Sequence, residues 1–344
     1  MRTRRRSTGI ILFVLLIVSL FLLGSVMAKG LPKFVYIATP PQGSVYYSFA
    51  GIFAKIVDEH SGMSGRVQAL AGSSAYIPAI SQGKIEFGIN NANDIRLAAL
   101  GEKPFIKSPN IRIATVMCPL LVGICVRNNS DIKTIQDLKG KRVAAKYPAQ
   151  LALALNVETI MASAGMTWED VKEVPVTNSP AGIQALIEGR VDAAAFAIMG
   201  AAVKEADATI PGGLRFLPVV DTPEGAKGMA KVWPGSYPSM VKGGAPGTVG
   251  IKQDQPMMAY DIVLSTGSTI DNDVVYAVVK TLYEHEDAVR KGHNMLARFA
   301  RDKMAKPNAT VPYHDGAIKF YKEAGLWSAE MEKVQQELLK GFAG

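Results

Sequence analysis

Histidine, cysteine and recognisable catalytic motifs are scarce in this 344-residue chain. It contains four histidines and two cysteines. His60, His285, His293 and His314 form neither an H-E-x-x-H motif nor a close Cys/His group, so the sequence predicts no metal site. A G-x-S-x-G elbow and a G-x-x-x-x-G-K-[ST] loop are also missing, and with them the usual signatures of serine hydrolases and P-loop nucleotide enzymes. We therefore expect no catalytic residues and no cofactor.

The two cysteines, Cys118 and Cys125, lie seven residues apart. If they belong to one extended strand, their Cα atoms are roughly 23 Å apart, whereas a disulfide requires about 7 Å or less. A disulfide is possible only if the chain folds back between them. The spacing favours free thiols.

Clusters of basic residues are missing from most of the chain, although the formal net charge is +8. Residues 1–28 contain four arginines and no acid, and the rest of the chain has 34 basic and 30 acidic residues. No Lys/Arg cluster interleaved with aromatic residues remains. The sequence therefore lacks the electrostatic signature of a nucleic-acid-binding protein, and we expect no nucleic-acid partner.

Long apolar runs are confined to the amino terminus. Met1-Arg-Thr-Arg-Arg-Arg6 is followed by the apolar stretch Ile10 to Leu23 and by Val26-Met27-Ala28. A basic region, a short apolar region and a small-residue site are the three parts of a secretory signal, so residues 1–28 are predicted to be a signal peptide that directs the protein to the periplasm. An uncleaved anchor and export by the twin-arginine pathway are the alternatives.

The stretch Pro40 to Val57 predicts a strand, a turn and a helix. It follows the apolar run Phe34 to Ala38, and its apolar residues then recur with a helical period. Ser44 stands at the position of a helix N-cap. The first helical turn leaves backbone N–H groups unpaired, which favours an anionic or strongly polar ligand. The alternative is an ordinary strand–helix unit whose N-terminus is hydrated.

Strand-like and helix-like segments alternate along the remaining chain, which predicts an α/β protein with parallel-rich sheets covered by helices. The strand-like runs are 34–38, 67–70, 85–89, 111–116, 121–126, 142–145, 174–176, 193–197 and 214–217. We interpret Gly235 to Gly250 as a loop. Met257 and Met258 are interpreted as side chains that fill space near the point where the chain crosses between two lobes.

An internal repeat sharpens this prediction. Residues 79–86 match residues 185–192 in residue class at seven of eight positions, with a glycine, a basic residue and an acid in the same order. Each segment is predicted to be a helix end followed by a buried strand. We infer two similar α/β lobes facing a ligand cleft at the carboxyl ends of their strands, with chance similarity as the alternative.

Several segments resemble the TAXI group of solute-binding proteins, the extracytoplasmic receptors of TRAP-type secondary transporters. Gly43-Ser-Val-Tyr-Tyr47 is similar to the group's Gly-rich, Tyr-Tyr helix start, and Tyr313 to Gly325 is similar to its closing segment. Ile132 to Val143 resembles many type II binding proteins. The resemblance covers about residues 34 to 325. It implies a type II periplasmic-binding-protein fold, with two α/β lobes around a central ligand cleft.

The resemblance also implies a function. Such proteins bind a small solute, here a carboxylate or amino-acid-like anion, and pass it to TRAP-type membrane permease subunits. We expect a monomer with lobe 1 at residues 31–126 plus 255–344 and lobe 2 at residues 127–254. In the second lobe the sequence departs from the group, because Ala145 to Leu151 lacks the usual Gly-Ser-Gly-Thr-like turn. Val45 also stands where a threonine is common.

Candidate ligand-binding residues follow from these placements. They lie at helix starts or at the carboxyl ends of strands, and they are Gly43, Ser44, Tyr46, Tyr47, Ser73, Ser74, Asn91, Asn93, Tyr147, Gln150 and Phe196. A binding protein for an ABC importer or for a sensor kinase remains an alternative function. An exported enzyme on the same scaffold is a third possibility.

Overall fold

The computed structural model describes residues 30–40, 42, 44–103, 105–147 and 151–342. The predicted signal peptide and the site residues Gly43 and Gln150 therefore lie outside the described residues. None of the described helices is long and apolar enough to span a lipid bilayer. The helices and strands given below belong to the unit Lys33–Gly344.

Ten strands form the sheet. They are β1 (Phe34–Thr39), β2 (Ser64–Ala69), β3 (Phe87–Asn91), β4 (Ile111–Arg127), β5 (Arg142–Lys146), β6 (Lys172–Val176), β7 (Ala193–Ala197), β8 (Leu214–Phe216), β9 (Tyr237–Val241) and β10 (Gln255–Gly267). β4 and β10 are much longer than the others, and the two predicted runs 111–116 and 121–126 are parts of the single strand β4.

Eleven α-helices are present in the described part of the chain. They are α1 (Val45–His60), α2 (Ser73–Ser81), α3 (Ala92–Leu100), α4 (Leu151–Ala162), α5 (Ser179–Ile187), α6 (Ala201–Thr209), α7 (Pro223–Val232), α8 (Asn272–Glu284), α9 (Glu286–Gly292), α10 (Asp315–Glu323) and α11 (Ala329–Gly341). Short 3₁₀ helices occupy Gln136–Leu138, Trp168–Asp170, Asn294–Arg298 and Arg301–Lys303.

The strands form one hydrogen-bonded sheet in the order β2-β1-β3-β10-β4-β7-β5-β6, with β8 paired to β4 and β9 paired to β10. β1 is parallel to β2 and β3, and β5 is parallel to β6 and β7. β4 and β10 run antiparallel to each other and connect the two parallel groups. The two parallel groups are therefore parts of one continuous sheet, because these two long strands join them.

Side-chain packing nevertheless divides the molecule into two halves. One hydrophobic core uses buried residues from 35 to 118 and from 262 to 321, and we call this part the first half. The other core uses buried residues from 121 to 260, which we call the second half. The change of core occurs within β4 and within β10, so both long strands pass from one half to the other. No observation here tests the predicted lobe limits, which stay a prediction.

β9 and β10 were missed in the sequence. β9 lies inside the segment that we interpreted as a loop. Met257 and Met258 are fully buried core residues of β10 and lie close to the point where this strand passes from one core to the other, as predicted. β10 is buried along almost its whole length. It therefore lacks the alternation of apolar and polar residues by which a half-buried strand is recognised.

Both cysteines lie on β4, and both are free and buried. The extended path that the spacing favoured is confirmed. Burial raises the pKa of each thiol to about 12, because an apolar environment disfavours the charged thiolate.

The internal repeat corresponds to two matching local structures. Gly83 and Gly189 follow α2 and α5 with φ values of 69° and 74°, the left-handed conformation that favours glycine at a helix end. The acids of the repeat also match. Glu86 accepts a backbone N–H bond at 2.8 Å from β1, and Asp192 accepts one at 2.8 Å from β5. The repeat is thus a pair of equivalent helix-to-strand turns, one in each half.

Candidate functional site

Polar side chains from both halves meet where the two cores adjoin. We call this group the central polar cluster, and its members are Tyr46 on α1, Tyr76 on α2, Asn91 at the end of β3, Asp94 on α3, Asn156 on α4 and Tyr260 on β10. Tyr46 is half-buried and the other five are buried. Since buried polar groups without a structural role are costly, a cluster of this size is a candidate binding site.

The first half fixes the position of Asp94. Asn91 caps α3, and its Oδ1 accepts the backbone N–H of Asp94 at 2.7 Å. The Ser73 hydroxyl donates to Oδ2 of Asp94 at 2.7 Å. Burial raises the pKa of Asp94, while the hydrogen bonds from Ser73 and Asn91 act in the opposite direction. The carboxyl group is therefore held in one orientation by its neighbours, without a cationic partner among the described residues.

The tyrosines of the cluster provide neutral hydroxyl groups. The Tyr76 hydroxyl donates to the carbonyl oxygen of Ile89 at 2.7 Å, so this hydroxyl has a structural role. Burial raises the pKa of Tyr46 well above its ordinary value, and the nearby Tyr260 and Asp94 add to this effect. At neutral pH these phenols remain protonated and can donate hydrogen bonds to an oxyanion.

The second half contributes an aromatic and an amide side chain. The ring of Trp233, directly after α7, stacks on Tyr260 with a centroid separation of 4.6 Å and an interplanar angle of 22°. Burial raises the pKa of Tyr260, and a hydrogen bond with Asn156 partly offsets that effect. A flat apolar surface thus lies beside amide and hydroxyl groups, as is common in small-molecule sites.

Several buried polar atoms in this region have no hydrogen-bond partner among the described residues. They belong to the end of β1, to the start of α3, to α4 and to the residue after α7, and they are Thr39 Oγ1, Asn93 Nδ2, Asn156 Oδ1 and Trp233 Nε1. Each such atom costs about 1 to 3 kcal/mol when it stays unsatisfied. A polar solute at this position offers the missing partners.

The structure places the predicted residues of the first half close to the cluster. Ser44 is the N-cap of α1, and its Oγ accepts the backbone N–H of Tyr47 at 3.1 Å. The predicted capping role of Ser44 is confirmed, and its hydroxyl proton is free to serve another acceptor. Ser74 is exposed in the first turn of α2, which has no side-chain cap. Ligand contact by these residues stays a prediction.

The predicted residues of the second half are placed less uniformly. Tyr147 is fully buried in the second core, where its ring packs against Gly182 and its hydroxyl lies near Ala195. Phe196 is half-buried in β7, with its ring against Gly200 at the start of α6. Neither residue is brought into the central polar cluster by the contacts described above.

The turn after β5 is strained. Lys146 and Tyr147 have φ values of 71° and 43°, a left-handed conformation that costs a non-glycine residue roughly 1 to 2 kcal/mol. Lys146 also forms a 2.6 Å ion pair with Glu173. This is the turn at which the sequence departs from the TAXI pattern. Strain of this kind accumulates at binding sites, so the turn remains a candidate for solute contact.

Sequence reasoning missed Thr39, Asp94, Asn156, Trp233 and Tyr260. Thr39 and Asp94 had a usable signal, because one ends a predicted strand and the other follows the capping residue Asn91. The other three lie within or after elements of the second half and reach the cluster only through tertiary contacts. Within the described ranges, no group of three or more His, Cys, Asp and Glu side chains could hold a metal ion.

Comparison with known families identifies the chain. The model of the NMT1-like family matches residues 37–325, which is most of the sequence. The chain belongs to the NMT1-like family. The matched region includes every residue of the central polar cluster.

Solved structures show the same fold at low sequence identity. A TctC solute-binding protein from Polaromonas is 13% identical with a TM-score of 0.53, and the match covers 92% of this chain and 96% of that one. A Xanthomonas citri protein bound to ATP is 9% identical with a TM-score of 0.50, covering 89% and 99%. The periplasmic aliphatic sulphonate-binding protein SsuA from Escherichia coli is 17% identical with a TM-score of 0.48, covering 89% and 99%. The two matches with TM-scores of 0.50 or more confirm the predicted fold class, the α/β fold of periplasmic binding proteins.

Proposed function

We propose that this NMT1-like protein is an extracytoplasmic solute-binding receptor that captures a small organic anion, a carboxylate or an amino-acid-like solute. In this proposal residues 1–28 direct export to the periplasm, and the mature protein acts as a monomer that carries out no reaction. Membership of the NMT1-like family and the solute-binding protein of the same fold support the receptor role. The observation that carries the proposal is the central polar cluster, to which both halves contribute.

The chemistry of the cluster favours a solute with an oxyanion. Tyr46 and Tyr260 provide protonated phenols, and the amide of Asn93 and the indole of Trp233 provide N–H donors without a described protein partner. The N-terminus of α1 adds a partial positive charge beside Tyr46. The region thus offers neutral donors rather than a cationic clamp, and such donors bind a carboxylate well when water is excluded.

Asp94 refines the solute class. Its buried carboxyl group has hydroxyl and amide partners but no cation among the described residues. An ammonium group of the solute would pair with Asp94 and stabilise its charged form. A zwitterionic, amino-acid-like solute satisfies both the donors and Asp94, whereas a plain carboxylate satisfies the donors alone.

The two-core packing supports a clamp mechanism with lobe 1 at residues 31–126 plus 255–344 and lobe 2 at residues 127–254. In the described part of the chain, the backbone passes from one half to the other within β4 and within β10. A solute that contacts both halves stabilises the closed form by its differential affinity for the two states. We expect saturating solute to compact the protein in small-angle scattering and to raise its melting temperature.

The test begins with mass spectrometry of the solute retained by the purified mature protein, followed by titration calorimetry. Ser74→Ala is expected to weaken binding by about 1 to 3 kcal/mol if a buried solute oxygen loses its donor. Ser44→Ala should do the same, with an added loss of helix stability. Tyr147→Phe asks whether the strained turn after β5 contributes a hydroxyl.

Ser328→Ala is the matched control for Ser44→Ala. Ser328 caps α11 and accepts the backbone N–H of Met331 at 3.1 Å, the same arrangement and distance as at Ser44. Both substitutions should lower stability by about 1 kcal/mol, but only Ser44→Ala should weaken binding. Equal binding by the Ser44, Ser74 and parent proteins would refute the assignment of these serines.

The membrane partner in this proposal is a TRAP-type permease of the TAXI group. Reconstituted permease should accept the loaded receptor and drive solute uptake in liposomes. A TctC solute-binding protein shares the fold, so a permease of another transporter class is the relevant comparison. If the loaded receptor drives uptake with the permease of the other class but not with the TRAP-type permease, the receptor role stands and the TRAP assignment is overturned.

A further inference from the structure

A second polar pocket lies on the other face of the long strands. Successive side chains of a strand point to opposite faces, so Asp261 faces away from its neighbour Tyr260 and from the central polar cluster. In the β9–β10 register Tyr237 pairs with Ala259 and therefore shares the face of Asp261. A pocket of about 560 Å³ opens there, lined by Tyr237, Ser239, Arg298, Lys303, Lys306 and Asn308.

The charge of this pocket is positive. Lys306 forms a 2.7 Å ion pair with Asp261, and the Tyr237 hydroxyl donates to the same carboxylate oxygen at 2.8 Å. The charges of Lys306 and Asp261 therefore cancel. Arg298 and Lys303 remain, so the pocket carries a net charge of about +2 at neutral pH. No acidic side chain lies among its lining residues.

Arg298 indicates a ligand site, because its guanidinium group is half-buried without a counter-charge. It has no salt bridge or hydrogen bond with any residue in the described ranges. Burial lowers its pKa, and the nearby Cys118 and Tyr237 act in the opposite direction. Partial burial of an unpaired cation is unfavourable. An oxyanion that accepts two parallel N–H bonds from the planar guanidinium removes that cost.

The remaining lining groups suit the same ligand. Lys303 is exposed at the rim and adds a mobile positive charge. Ser239 and Asn308 provide a hydroxyl and an amide that can donate further hydrogen bonds. The volume falls within the range of ordinary small-molecule sites, and it exceeds what a bare halide needs.

We propose that this pocket is an anion site separate from the central polar cluster, and that it binds a small organic or inorganic oxyanion carrying two negative charges, such as a dicarboxylate or a phosphate group. Arg298 holds one anionic group by a bidentate contact, and Lys303 neutralises the second charge. Lys306 stays paired with Asp261 and fixes the floor of the pocket. The site does not depend on the identity of the solute in the cluster.

The test uses titration calorimetry of the mature protein with succinate and, in a separate arm, inorganic phosphate at low ionic strength. We expect one saturable site for at least one probe, and the stronger probe decides between dicarboxylate and phosphate chemistry. Arg298→Gln should weaken that binding at least about tenfold, and Lys303→Gln several-fold, because each removes a charge-assisted contact. Both effects should shrink with added salt.

Two controls complete the experiment. Lys55→Gln removes one positive charge from an exposed site on α1 and should leave anion binding unchanged. Thr39→Val alters the region of the central polar cluster and should also leave it unchanged. Lys303 is exposed, so its variant will fold even if Arg298→Gln does not. Undiminished binding by Lys303→Gln and Arg298→Gln, loss of binding in Thr39→Val, or no saturable binding tighter than about 10 mM would each overturn the proposal.

Discussion

Replacing Thr39 by valine separates a binding role from a structural role. Thr39 ends β1, is fully buried, and its Oγ1 has no partner among the described residues. Valine has nearly the same shape and no hydroxyl. Removing an unsatisfied buried hydroxyl should raise the free energy of unfolding of the solute-free protein by about 1 to 3 kcal/mol. The midpoint of urea unfolding measures this change, provided that the slope of the transition is constant.

The same substitution at Thr115 provides the control. Thr115 is also fully buried, but its hydroxyl donates to the carbonyl oxygen of Val116 at 3.0 Å. Thr115→Val should therefore lower the free energy of unfolding by about 1 kcal/mol. The two substitutions remove the same group at equal burial, so an opposite sign of the effect depends only on whether the hydroxyl has a protein partner.

Solute binding completes the test. Calorimetry with the solute retained by the purified protein should show weaker binding by Thr39→Val, by about 1 to 3 kcal/mol, and unchanged binding by Thr115→Val. A gain in stability together with a loss of affinity is expected where the fold leaves a group unsatisfied for a ligand. If Thr39→Val instead lowers stability and leaves affinity unchanged, the hydroxyl is structural and the reasoning fails at this position.

Three further predictions concern other parts of the molecule. Trp233→Phe should abolish a solute-induced change in tryptophan fluorescence, and Trp327→Phe should preserve it; the opposite result would remove Trp233 from the site. Burial lowers the pKa of His314, so its stabilising contribution is present above about pH 6.5 and is lost as the pH falls below that value. His314→Asn keeps an N-cap for α10 and should therefore reduce the difference in unfolding free energy between about pH 7.5 and about pH 5.5. Cys118 and Cys125 should resist alkylation in the native protein, since burial holds each thiol pKa at about 12; rapid labelling before unfolding would contradict this.

Local patterns in the sequence predicted an element correctly where a capping residue or a glycine marks one of its ends. The N-cap at Ser44 and the glycines that end α2 and α5 are short-range features, and the structure reproduces each of them. β10 could not be recognised in this way. It is buried on both faces and begins with a glutamine and a proline, so neither alternation nor composition distinguishes it from a connecting segment.

The candidate site shows the same limit. Residues at the carboxyl ends of strands in the first half, such as Asn91, could be placed because parallel strands end at one edge of a sheet. Asn156, Trp233 and Tyr260 lie within or directly after ordinary elements of the second half. Their contacts with the cluster join segments far apart in the chain. Such contacts depend on how the two halves pack, and the sequence periodicity of a single element carries no information about that.

The crystal structure of the mature protein with its retained solute tests the central claim most directly. The account predicts an organic anion between the halves, in contact with Tyr46 or Asn91 from the first half and with Asn156, Trp233 or Tyr260 from the second. An ammonium group of the solute should lie beside Asp94. A solute bound within one half only, or on the opposite face of β4 and β10, would contradict the claim.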